Sequence, residues 1–326
     1  MEFSAIEAAA LRLRDHLAPT PLLQFAALDQ RLGGAVWLKA ESLQGIGSFK
    51  IRGAMNALLA VGDAARAHGV VAGSSGNHAQ GVAQASAWLG CRARIVMPID
   101  APAGKRASVV RLGAEIVDYD RYSEDREAIA ARLAEQAGAF LLPAYDHPEV
   151  IAGQGTAGLE VMRSALFEHH PPDQVVVCCG GGGLTAGVSL AVKALAPAVD
   201  IIAVEPANAD DTARSLAAGQ RLANAKDATS VCDALLSPMP GALTFPILQA
   251  HGVRVVTVSD EEALRAVGYA YRRLRLVLEP GGAVALAALL SGKVAATGKR
   301  TVAILSGGNI DDPMLERALG LFDASE

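Results

Sequence analysis

Short runs rich in β-branched residues alternate with longer segments of helical period along most of this chain. Residues 35–39 (AVWLK), 70–74 (VVAGS), 93–97 (ARIVM) and 115–119 (EIVDY) read as strands, as do 174–179 (QVVVCC), 201–205 (IIAVE), 254–258 (RVVTV) and 301–305 (TVAIL). Between them lie segments of helix length such as NHAQGVAQASAWLG, APAGKRASVVRLG and SEDREAIAARLAEQAG. Strands separated by roughly 10 to 15 helical residues predict βαβ units, and so an α/β fold of open, mostly parallel sheets with helices on both faces. The N-terminal MEFSAIEAAALRLRDHL reads as an amphipathic helix, with Ser4 as N-cap and Glu7 completing a capping box. Residues 224–245 break the alternation with an irregular stretch holding two prolines, which reads as a flap over a cleft.

Composition narrows the picture. With 326 residues, 51% hydrophobic and 19% charged, the chain is a compact globular protein long enough for two domains. The net charge is −5 and Lys and Arg are scattered, which argues against a nucleic-acid surface. No apolar run reaches the roughly 18 to 20 residues that a bilayer span requires. The N-terminus also lacks the basic start and apolar centre of a signal peptide. Cys91, Cys178, Cys179 and Cys232 match neither a zinc site nor a disulfide framework, so a reducing, cytoplasmic setting is expected.

Two stretches carry chemistry. In SFKIRGA (48–54), Lys50 stands between Phe49 and Ile51, after the polar loop ESLQGIG and before an apolar helix from Gly53 to Val61. Apolar surroundings disfavour the ammonium form, and an unprotonated amine is a nucleophile. The plainer reading is a lysine whose stem covers apolar surface. The second stretch is Gly180 to Gly183, which follows a strand and opens a helix. Consecutive glycines let backbone N–H groups converge on a phosphate at the helix N-terminus. No GK[ST] follows, so this is not a nucleotide P-loop. Gly181, Gly183 and Ala186 also satisfy G-x-G-x-x-G/A, and Glu205 ends the next strand where a ribose-binding carboxylate would stand. A dinucleotide site therefore remains open at this point. A reactive lysine, a phosphate cradle and no metal–thiolate pattern together suggest pyridoxal phosphate (PLP). Its aldehyde needs an amine and its phosphate needs a nest of N–H groups.

Four motifs in order, GSFKIRGA, SSGNHAQG, GGGGL and SGGNID, resemble the PLP enzymes of the tryptophan-synthase-β fold (fold type II), above all threonine/serine dehydratases and serine racemase. The similarity runs from PTPLL (19–23) to SGGNID (306–311). It implies a large PLP-binding domain, 1–44 with 149–326, a small domain, 45–148, and the cofactor between them. By the same resemblance Lys50 forms the internal Schiff base, Phe49 packs on the ring and Asn77 approaches the ring hydroxyl. Gly180, Gly181, Gly182 and Gly183 hold the phosphate and Ser306 faces the pyridine nitrogen. Ser74, Ser75, Gly76, Asn77 and His78 form the loop for the substrate carboxylate, and Arg126 and Ser237 match positions near its distal end. In the racemase-like branch a divalent cation (Mg²⁺, Mn²⁺ or Ca²⁺) binds two carboxylates and a carbonyl, which here match Glu205, Asp211 and Ala209. The plainer reading is an acidic helix N-terminus, with Asp210 and Asp211 favoured by the dipole.

The resemblance implies dehydration and deamination of a β-hydroxy amino acid, of the L-threonine or L-serine type, to a 2-oxo acid and ammonia. A serine hydroxyl at 306 cannot hold the ring nitrogen as a pyridinium by charge pairing. Elimination at Cβ is therefore preferred to transamination. Serine at 75, where the usual threonine dehydratases carry alanine, predicts some racemase activity through a proton on the face opposite Lys50. The flap reads Asp233–Ala234 where the family has Asp-Gly, and no isoleucine-responsive regulatory domain is expected. Serine racemase and 3-hydroxyaspartate dehydratase are the rivals within the class. A β-replacement synthase and an NAD-dependent oxidoreductase are the rivals outside it. The expected partners are a small amino-acid substrate and a second copy in a homodimer, with no nucleic acid and no membrane.

Overall fold

Where Val, Ile and Leu run without interruption the strands are buried on both faces, and they pair in parallel as such runs require. In the computed structural model, which describes residues 1–101 and 103–322, ten strands form two sheets. They are β1 (Leu22–Gln24), β2 (Ala35–Ala40), β3 (Val70–Gly73), β4 (Ala93–Pro98), β5 (Glu115–Tyr119), β6 (Phe140–Leu141), β7 (Gln174–Cys178), β8 (Asp200–Pro206), β9 (Arg254–Val258) and β10 (Arg300–Leu305). The larger sheet has the order β1-β2-β10-β7-β8-β9 and the smaller β5-β4-β3-β6. Every pairing is parallel except β1 on β2. All eight strands expected from the pattern are present. β1 and β6 were not expected, because two or three residues carry no periodic signal.

One local expectation fails. The first helix is Phe3–Leu13, so Ser4 lies inside it, and Glu2 holds the N-cap position without a side-chain cap. Glu7 accepts instead from Arg163 at 2.6 Å. The helix begins two residues early, which puts Ser4 inside it, and Glu7 pairs with a residue distant in sequence.

The helix that starts at Lys50 (Lys50–Ala60) is held against the helix Pro148–Met162 by two means. The first is close approach at glycines. A Cβ on Gly153 would lie 2.5 Å from the Arg52 carbonyl oxygen, and one on Gly53 would collide with Gln154 Nε2. The second is a buried ion cluster. Arg52, 1% exposed, forks onto both oxygens of Glu41 (Nε to Oε2 2.7 Å, Nη2 to Oε1 2.9 Å) and onto Glu160 (Nη1 to Oε1 2.5 Å, Nη2 to Oε2 2.8 Å). Lys39 completes it by donating to Glu160 and to the Thr20 carbonyl. Two cations and two carboxylates balance, which is the condition under which buried charge is tolerated.

Replacing Arg52 by Met should leave Glu41 and Glu160 with Lys39 alone. The expected loss is about 3–5 kcal/mol of unfolding free energy, read from urea denaturation. Arg52→Lys should fall between, because one ammonium cannot span two carboxylate forks.

Candidate active site

The C-terminal ends of parallel strands from both sheets meet at one place, as expected for ligand sites in open α/β folds. The loops that arrive there are Ser74–Gly76 after β3, Gly180–Gly182 after β7 and Ser306–Gly308 after β10. Lys50 is brought to them by the bridge between Ser48 and Gly307 and by the Phe49 amide, which donates to the Ser306 carbonyl at 3.1 Å. Two adjoining cavities result. The smaller, about 40 Å³, is bounded by Phe49, the glycine run, Cys178 and Ser306. The larger, about 390 Å³, is bounded by the 74–78 loop, Lys105, Arg126 and Asp233. Lys50, Asn77, Ser237 and Glu279 border both.

Lys50 Nζ donates to the Ala144 carbonyl at 2.8 Å and stands 5.3 Å from the centre of the Phe49 ring. It has no carboxylate within ion-pair distance among the described residues. Desolvation lowers its pKa to about 8, against the opposing pull of Cys178 and Glu279. The amine is therefore available as a base or nucleophile near neutral pH.

Gly182, with φ +88°, is the N-cap of the helix Gly183–Leu195, a left-handed conformation that glycine adopts without strain. A Cβ on Gly181 would collide with the Tyr145 ring, so a side chain there would fill the cradle. The first N–H groups of that helix have no intrahelical acceptor and face an anion site. An amine, an aromatic ring, an amide, a buried hydroxyl and an N–H cradle line one pocket. These donors fit PLP.

Three residues escaped the sequence reading. Glu279, 4% exposed, accepts from Asn77 Nδ2 at 2.5 Å, and Asn309 Nδ2 donates to Asn77 Oδ1 at 2.7 Å. Lys105 pairs with Asp233 at 2.5 Å, joining the helix Ala103–Arg111 to the flap. The signal available for Glu279 was an acid before Pro-Gly-Gly at the head of an apolar helix. Asn309 lay unremarked within SGGNID. Lys105 carried no signal of its own.

The remaining expected residues divide. Ser74, Ser75, Gly76, Asn77 and His78 line the larger cavity, and the helix Asn77–Trp88 begins there. His78 Nε2 lies 3.0 Å from the Leu142 carbonyl, and burial, aided by Lys50, lowers its pKa to about 3. Arg126 lines the same cavity while its guanidinium pairs with Glu127 at 2.7 Å. Ser237 borders both cavities, and its carbonyl accepts from Asn224 at 2.9 Å. In the flap, the Ala234 Cβ is accommodated by Gly281, where an added Cβ would stand 3.3 Å away.

Glu205 is buried, and its two oxygens accept from the backbone N–H groups of Thr212 (3.0 Å) and Ala213 (2.9 Å). It thus caps the helix Asp211–Ala218. Asp211 Oδ1 accepts from Asn224 at 2.6 Å, whereas its Oδ2 is buried without a partner among the described residues. Burial pushes Glu205 up to about 8 and Asp211 up to about 6.

No helix among the described residues is long and apolar enough to cross a membrane. A family model described as pyridoxal-phosphate dependent enzyme matches residues 13–307. L-threo-3-hydroxyaspartate ammonia-lyase of Pseudomonas sp is 43% identical over 308 residues, 93% of each chain. Serine racemase of Schizosaccharomyces pombe is 37% identical over 309 residues, 95% of this chain and 94% of that one. The solved structure of maize serine racemase superposes with a TM-score of 0.91 at 35% identity, covering 98% of this chain and 97% of that one. The chain belongs to the pyridoxal-phosphate dependent enzymes, with the α/β fold of that family's fold type II.

Proposed function

We propose that the protein is a PLP-dependent ammonia-lyase of β-hydroxy amino acids, with 3-hydroxyaspartate as the substrate it handles best. The observation that carries the substrate choice is the cationic lining of the larger cavity. Lys105 and Arg126 both stand there, and each is paired with an exposed carboxylate, Asp233 at 57% and Glu127 at 66%. Partners so exposed contribute little, so the second carboxylate of a substrate can replace them. The name of the Pseudomonas relative agrees with this reading.

Bound PLP would supply an aldehyde for the substrate amine and a ring that draws electrons from Cα. Lys50, the glycine run, Phe49, Asn77 and Ser306 would hold it. Lys50 Nζ, its pKa lowered to about 8, is the base that takes the Cα proton. Backbone N–H groups at the start of the helix Asn77–Trp88 receive the α-carboxylate, where the helix dipole favours it. The Ser306 hydroxyl would offer the ring nitrogen a hydrogen bond without a countercharge, a setting that favours elimination, in which the Cα proton passes to Lys50 and the β-hydroxyl takes up a proton and leaves as water. Residues 45–148 would act as the small domain whose approach closes the cleft.

We also propose a divalent cation at Glu205, Asp211 and the Ala209 carbonyl. Oxygen donors suit Mg²⁺, Mn²⁺ or Ca²⁺, and the unpartnered Asp211 Oδ2 is the atom such an ion would satisfy. Asn224 donates to both Asp211 and the Ser237 carbonyl, so the ion would steady the loop that borders the substrate cavity.

Lys50→Ala should lower ammonia release by about 10³-fold or more with an unchanged circular-dichroism spectrum. In the intact cofactor-free protein, PLP capture should quicken about fivefold from pH 7 to 8 and less than twofold from pH 8 to 9, following the neutral amine. Equal rates at all three pH values would remove Lys50 from its role. Arg126→Met should lower kcat/KM for L-threo-3-hydroxyaspartate by about 10- to 100-fold and leave L-serine within about threefold. Equal losses on both substrates would overturn the carboxylate assignment. Chelation should lower the thermal midpoint and Mg²⁺ or Mn²⁺ should restore it, a response that Asp211→Asn should largely lose.

A further inference from the structure

Glu279 occupies the N-cap position of the helix Pro280–Leu290, where an acidic side chain ordinarily accepts from the N–H groups of its own helix. Here it makes no such bond. Its carboxylate turns instead to Asn77, and it borders both the cofactor pocket and the substrate cavity. A carboxylate withdrawn from water and from its own helix is costly unless it is used.

Asn77 is not free to choose its orientation. Its Oδ1 accepts from Asn309 Nδ2 at 2.7 Å, and that nitrogen also donates to the Ile46 carbonyl at 2.9 Å. Flipping the Asn77 amide would set its NH₂ against the Asn309 NH₂ and its oxygen against the Glu279 carboxylate. Both contacts forbid the flip. With one N–H committed to Glu279, the other remains for the cofactor pocket.

We propose that Glu279 is a positioning residue that acts through Asn77, fixing the amide so that an N–H faces the ring hydroxyl of bound PLP and setting by its own charge how readily that hydroxyl ionises. This rests on the cofactor placement proposed above. A carboxylate nearby disfavours a second anion on the ring, and protonating Glu279 removes that opposition. The groups that face Glu279 come from four elements. Lys50 on its helix and Lys105 on the helix Ala103–Arg111 favour the carboxylate, as does the Asn77 bond, and Asp233 in the flap opposes it. Burial is the largest influence, and with these it leaves Glu279 raised to about 7, so its charge changes near neutral pH.

The test is a pH titration of the visible absorption of the PLP-loaded protein. The wild type should show, as Glu279 titrates, an inflection in the ratio of its two cofactor bands. Glu279→Gln keeps an acceptor for Asn77 but has no charge, so it should lose that inflection and ionise the ring hydroxyl about one pH unit or more lower. Glu279→Asp should retain the inflection. Superimposable curves for wild type and Glu279→Gln would overturn the proposal while leaving the cofactor reading intact. Failure of the wild type to take up PLP at all would overturn both.

Discussion

The guanidinium of Arg52 is the constraint on which the site depends. It lies two residues beyond Lys50, and its planar fork reaches Glu41 at the end of β2 and Glu160 at the end of the helix Pro148–Met162. The Lys50 helix is thereby referenced to the larger sheet through rigid, charge-assisted bonds. The Gly53–Gly153 crossing sets how near the helices approach, and the ion cluster sets their rotation and register. A lysine side chain has four rotatable bonds, and its amine is placed reproducibly only when its backbone is held in this way.

Desolvation then determines the chemistry. The same withdrawal from water lowers Lys50 to about 8 and His78 to about 3, and raises Glu279 to about 7. Each shift goes toward the neutral form, as burial dictates. The cleft therefore holds a base and an acid whose charges both change near neutral pH. Lys105 and Arg126, which also line the larger cavity, are paired with exposed acids.

The flap and the region around Glu205 tie the rim to the larger sheet. Asn224 joins Asp211 to the Ser237 carbonyl, and Lys105 joins the small-sheet side to Asp233. These are hydrogen bonds across long sequence separations, and none reflects a local pattern. Glu205 illustrates the difficulty. Its position near the end of β8 suited a ribose or a cation on spacing alone, and the structure shows both of its oxygens accepting from the first N–H groups of the helix Asp211–Ala218.

The sequence by itself determined whatever depends on neighbours along the chain. The period of Val and Ile runs dictated parallel strands, because those strands are buried on both faces. Four consecutive glycines dictated a turn without side chains at a helix start, and Lys50 between apolar residues dictated a desolvated amine. Only the tertiary structure decided which distant groups meet. Asn77 with Glu279, Arg52 with Glu160, and Lys105 with Asp233 are pairs in which neither partner has a local need for the other. The capping box at Ser4 is absent because the helix starts at Phe3, and Glu7 meets Arg163, 156 residues away in sequence. Local backbone geometry is written in short spacings, whereas a buried polar group takes whichever partner the packed helices bring within reach.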